Sequence, residues 1–150
     1  MKDGGILKDD FYMKKSLIML CTSITALVLE VLPYGAVCNF ANPEGEPWRR
    51  TYSYFDLTPF GYANFAPFIV ALLTCALAVM IVLSLVIKKP MRTPILAISA
   101  IAALLSLAPL LFGISYFSLV GACITVALLI TALLAFFQKD VTKNDIQKTR

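Results

Sequence analysis

The chain contains no histidine. That removes the side chain that most readily carries a proton near neutral pH, and with it the commonest metal ligand. No C-x-x-C pair occurs among the four cysteines, Cys21, Cys38, Cys75 and Cys123, so the usual thiol-redox and zinc patterns are excluded. Three of these cysteines fall inside apolar runs, where cysteine behaves as a small hydrophobe, and no disulfide framework is expected. Ser53 and Thr58 have no histidine to act as their base, and no phosphate-cradling glycine loop is present. Glu44, Glu46 and Asp56 lack the regular spacing of a calcium loop and read as a solvated surface. The chain is therefore expected not to be an enzyme, and neither a cofactor nor a metal is expected.

Charge is also scarce. Only 15% of residues are charged, whereas 59% are hydrophobic and the mean hydropathy is +0.82. A soluble domain is about 45–50% apolar, and a chain of 150 residues cannot bury so large an excess within itself. Lipid is the natural solvent for it. The net charge of +4 does not form one interleaved basic patch but flanks the apolar runs, so the bilayer rather than nucleic acid is the expected partner.

Four such runs are present, and the expected fold is an all-α integral membrane protein with transmembrane helices over about 16–32, 67–87, 94–112 and 117–137. The 67–87 run is 21 residues without a charge, enough at 1.5 Å per residue to cross a hydrocarbon core of about 30 Å. The first run could be a signal peptide, but it is longer than the usual apolar region and no A-x-A site follows it. Gly35-Ala36-Val37-Cys38 resembles a lipoprotein cleavage site only loosely, because Val37 stands where a small residue is wanted. A retained span is expected. Gly4-Gly5 argues against a long ordered helix at the very start. Pro67 suits a first helical turn, Thr93-Pro94 reads as N-cap and N1, Pro109 predicts a kink, and Gly113 a C-cap.

Lysine and arginine sort to one side of this ladder. Residues 1–15 carry four, the 88–93 turn three and the 138–150 tail four, whereas the 34–66 loop carries only Arg49 and Arg50. By the positive-inside rule both termini face the cytoplasm. The expected location is a bacterial cell membrane.

The loop between the first two runs is the most distinctive stretch. Counted from Glu30 to Phe68 it holds ten of the seventeen aromatic residues, the single tryptophan and five of the eight prolines. Asn42-Pro43-Glu44-Gly45 and Thr58-Pro59-Phe60-Gly61 have turn chemistry. An ordered outer cap is expected, with a short helix or hairpin. Its rings suit lipid anchoring, a partner surface built on Trp48, Tyr52, Tyr54, Arg49 and Arg50, or a small-ligand pocket with Arg49, Arg50 or Asp56 as the polar contact.

Glu30 is the only acid inside an apolar run. Acids at membrane depth are costly and are functional candidates. It lies fifteen residues beyond Lys15, about 22 Å along a helix, so it is expected near the outer boundary, wet or paired with Arg49 or Arg50. The favoured function is an interaction or accessory subunit whose cap contacts another membrane or envelope protein, with a second copy of the chain as a further expected partner. The alternative is a small transporter or permease component using Glu30 and the cap around a bundle cavity. The candidate binding residues are Glu30, Trp48, Arg49, Arg50, Tyr52, Tyr54 and Asp56.

Overall fold

The computed structural model describes residues 3–45, 48–62 and 64–138. Lys2, Glu46 and the basic tail from residue 139 onward, all used above in reading the charge pattern, lie outside the described residues.

The chain is mostly helical. Helix α1 spans Asp3–Val31, and a hairpin of β1 (Ala36–Phe40) and β2 (Trp48–Tyr52) follows. A one-turn helix α2 (Leu57–Gly61) precedes the long helix α3 (Ala66–Ile87). Helix α4 (Arg92–Ser106) passes into two 3-10 turns, Ala108–Phe112 and Ile114–Tyr116, before α5 (Leu119–Phe136). Among the described residues, three segments are long and apolar enough to cross a membrane: Ala66–Ile87, Arg92–Phe112 and Leu119–Phe136.

The four long helices pack in a ring, α1 against α3 and α5, and α4 against α3 and α5. Each turns a narrow seam inward at alternating steps of three and four. On α1 the seam is Ser16, Met19, Ser23, Ala26 and Glu30; on α3 it is Pro67, Val70, Thr74, Leu77, Ile81 and Ser84. Ile95, Ser99, Ala102 and Ser106 continue it on α4, and Gly121, Ile124, Leu128, Thr131 and Ala135 on α5. A 3-4 rhythm is that of helices crossing at a shallow angle, and small residues at the seam let backbones approach where lipid offers no hydrophobic drive. Hydroxyl pairs cross it, Thr22 with Thr131 at 2.8 Å and Ser106 with Thr125.

At the end away from the hairpin, the last carbonyls of α5 accept hydrogen bonds from neighbouring cations. Lys15 Nζ donates to Phe137 O at 3.1 Å and Arg92 Nη2 to Phe136 O at 2.9 Å. Positive charge is favoured at a helix C-terminus, so these basic residues also close the bundle.

Several boundaries differ from the sequence-based expectation. Helix α1 begins at Asp3 and includes Gly4-Gly5, because extending an existing helix avoids the cost of a new nucleus. Helix α4 begins at Arg92, with Met91 rather than Thr93 as its N-cap. Pro94 then sits two residues further in, still among the first N–H positions that have no intrahelical acceptor. Pro109 does not kink α4. The α-helix stops at Ser106 and the chain tightens into the 3-10 turn that starts beside the proline, since Pro109 can neither donate to residue 105 nor avoid its carbonyl. Gly113 ends that turn at φ +120, a conformation that side chains rarely allow. The all-α expectation is also modified, because the cap contains a two-stranded antiparallel sheet with Cys38 opposite Arg50 and Phe40 opposite Trp48.

Candidate functional site

The largest buried side chain that fastens the cap to the bundle is Tyr54. Tyr54 follows β2 and turns inward, where it is 2% exposed and packs with the bundle core. Its backbone N–H donates to Glu30 O at 2.8 Å, at the last turn of α1. Its ring lies against Gly35, where a Cβ would come within 2.9 Å of ring carbons. Its phenol oxygen lies close to Gly121, at 3.3 Å from where a Cβ would stand. Two residues lacking a side chain thus form a notch for one large ring. Burial, partly offset by the neighbouring Ser106 hydroxyl and reinforced by the Glu30 charge, pushes the Tyr54 pKa up to about 12.

Glu30 lies beside this plug. It is 0% exposed, because position 30 continues the inner seam of α1 one step beyond Ala26. Thr74 on α3 donates to Glu30 Oε1 at 2.7 Å, while Oε2 is buried without a partner. The expectation of a wet acid, or one paired with Arg49 or Arg50, is corrected here: the seam carries the carboxyl inward, whereas both arginines are exposed on β2.

Ser118 ties the same region together. As the N-cap of α5 it accepts from Gly121 N at 2.8 Å, and its hydroxyl donates to Gly35 O at 2.6 Å. One side chain therefore starts a helix and holds the loop before the hairpin.

The remaining sequence candidates separate into two groups. Trp48 (62% exposed), Arg49 and Arg50 project from the hairpin, with Arg49 Nη2 donating to Phe117 O at 3.4 Å. Tyr52 is half-buried and packs against the core. Tyr54 is not on the surface with Trp48, because the chain turns into the bundle between them. Asp56 caps α2, accepting from Thr58 N at 2.8 Å, and that backbone hydrogen bond holds its pKa below the usual carboxylate range.

Residues outside the candidate binding set complete the site: Thr74, Ser106, Ser118, Gly35 and Gly121. Thr74 was readable in principle, since it falls on the α3 seam. Gly35 and Gly121 carry no local signal for a ring that arrives from residue 54. The chain matches no family model, and no curated protein or solved structure matches it.

Proposed function

We propose that the chain is a four-span protein of a bacterial cell membrane, with α1 as the fourth span and both termini cytoplasmic. In this reading it is a non-enzymatic accessory subunit whose outer hairpin docks onto another membrane or envelope protein. The observation that carries the reading is the contrast within β2 and the turn after it: Tyr54 is locked in the bundle while Trp48, Arg49 and Arg50 stand exposed on a short, fastened strand. Tryptophan and arginine dominate interface energetics when presented rigidly, because little side-chain and loop freedom is then lost on binding. The two guanidinium groups select a partner face that carries carboxylates.

The test is a photocrosslinking residue at position 48 in living cells. One dominant foreign protein in high yield, weakened by charge reversal at Arg49 and Arg50 and unchanged in Glu30→Gln, supports the accessory role. Self-adducts alone, or none, reject it. The transporter alternative draws on one observation, the unpartnered Oε2 of Glu30. It requires Glu30→Gln to abolish a pH-dependent flux in proteoliposomes.

A further inference from the structure

The two edges of the hairpin differ. Strand β1 buries Ala36, Val37 and Cys38 and packs against α2 and the turn Ile114–Tyr116, where Asn39 Nδ2 donates to Ser115 Oγ at 3.4 Å. Strand β2 has β1 as its one strand partner, and Trp48, Arg49 and Arg50 are exposed along it. In an antiparallel pair every second residue turns its N–H and C=O away from the partner strand. Among the described residues, no backbone hydrogen bond other than those to β1 reaches residues 48–52, so the outer edge of β2 is an open ladder. Such edges invite another strand, and this one is held in place by Tyr54, two residues beyond it in the bundle. Arg50 has no hydrogen bond or ion pair among the described residues.

We propose that the outer edge of β2 takes up an extended segment of a partner protein as a further strand, with two consecutive carboxylates opposite Arg49 and Arg50. The inference rests on the docking role proposed above and names its chemistry. Main-chain hydrogen bonds to an edge strand supply affinity whatever the sequence, and the side chains opposite supply the choice. Successive residues of a strand face opposite sides of the sheet, so Arg49 and Arg50 each need an acid of their own, at successive positions of the added strand. Trp48 shares a face with Arg50 and offers its ring to an apolar side chain beside that acid pair. A second copy of this chain does not fit the edge. Antiparallel pairing of two β2 strands about residue 50 sets Arg50 against Arg50, and pairing one step away sets Arg49 against Arg50; like charges directly opposite are destabilising. A helix laid on the hairpin would meet the arginines but leave the open N–H and C=O groups unused.

The experiment titrates the full chain, in phosphatidylcholine nanodiscs, with the end-blocked peptide T-V-D-E-V-T and follows the emission of Trp48, the single tryptophan. Two further peptides carry N-methyl groups at alternate residues, one on the odd and one on the even positions. A strand spends only one of these two sets of N–H groups on a given edge. One methylated peptide should therefore lose about tenfold or more in affinity, and the other should stay within about threefold of the unmodified peptide. The neutral peptide T-V-N-Q-V-T should bind about tenfold more weakly than the acidic one. So should the acidic peptide to a chain carrying both Arg49→Glu and Arg50→Glu, while Cys123→Ala binds as the parent does. The methylated peptides use the parent protein, so the result does not depend on how a variant folds. No response to the acidic peptide, equal affinity of the two methylated peptides, or a Trp48 response only when phosphatidylglycerol is added to the disc would each overturn the proposal. Any of these alongside a foreign adduct at position 48 in cells would reject strand addition and leave the docking role standing. The alternation without a cellular adduct would sustain strand addition and reject that role.

Discussion

At the scale of single residues, the molecule depends on Tyr54 and on the acid beside it. Tyr54→Phe keeps the ring in the notch between Gly35 and Gly121 and removes only the phenol oxygen beside Ser106, so a cost of about 0.5–1.5 kcal/mol is expected, read as a lower melting temperature in detergent. The same variant carries a pH signature. Since the folded-state pKa is raised to about 12 from 10.0, the folded state holds its proton longer than the unfolded chain. The stabilisation is present below pH 10 and is lost as pH rises toward 12. Alkaline melting curves of the parent should fall across that window more steeply than those of Tyr54→Phe; parallel curves would show that Tyr54 is not sealed. Thr74→Val leaves Glu30 without the hydroxyl that donates to it and should cost about 1–3 kcal/mol, whereas Glu30→Gln keeps an acceptor for Thr74 and should cost less. The spacing 16, 19, 23, 26, 30 carries the inward orientation of Glu30, although its depth along the helix suggests a wet or paired acid. That Tyr54 reaches Glu30 was not legible, because the notch is made by residues 35 and 121 and exists only once the bundle is assembled.

At the scale of elements, helices were read more readily than the cap. A run without charge must be satisfied within itself in lipid, so the apolar segments at 67–87, 94–112 and 117–137 could be read by length alone, with ends displaced by a few residues. The strands could not. Ala36–Phe40 is uniformly apolar except at Asn39, and Trp48–Tyr52 carries two adjacent arginines, so neither alternates; their pairing follows from where Gly35 and Tyr54 are held. The hairpin should therefore be sensitive to its anchor. Gly35→Ala brings a methyl within 2.9 Å of the Tyr54 ring and should destabilise by about 1–3 kcal/mol, and combining it with Tyr54→Leu should cost less than the sum of the two single changes. At the far end, Lys88 closes α3 in the left-handed conformation, at φ 55. Lys88→Gly should raise stability by about 1 kcal/mol, measured by thermal unfolding at fixed detergent concentration.

At the scale of the whole molecule, polar groups are arranged by depth. Hydroxyls line the inner seam, apolar side chains cover the outside of the helices, and the cations near α5 close the end opposite the hairpin. The thiols report this arrangement. Cys38 is buried in β1, and burial, with the Asp56 charge adding to it, pushes its thiol pKa up, while Cys21 and Cys123 lie on outer helix faces. A water-soluble maleimide should label Cys38 in the native protein only as the cap opens, and should label Cys21 and Cys123 faster in denaturant than in nanodiscs. Rapid native labelling of Cys38 would show that the cap is not fastened down.

The bond between Thr74 and Glu30 joins residues 44 positions apart, and this separation bears on how the chain is made. At roughly 5–20 residues per second, the ribosome finishes α1 on the order of seconds before Thr74 is synthesised. During that interval the nascent first helix holds a carboxyl that has not yet met its hydroxyl, and Tyr54 N–H, the group that will occupy the adjoining backbone carbonyl, is also still to come. The contact that satisfies the acid can therefore form only after α3 has been made. Thr74→Val should consequently lower the yield of membrane-integrated protein in pulse-chase experiments by more than its effect on the finished fold, by prolonging the stage at which a membrane protease can recognise an unmatched helix.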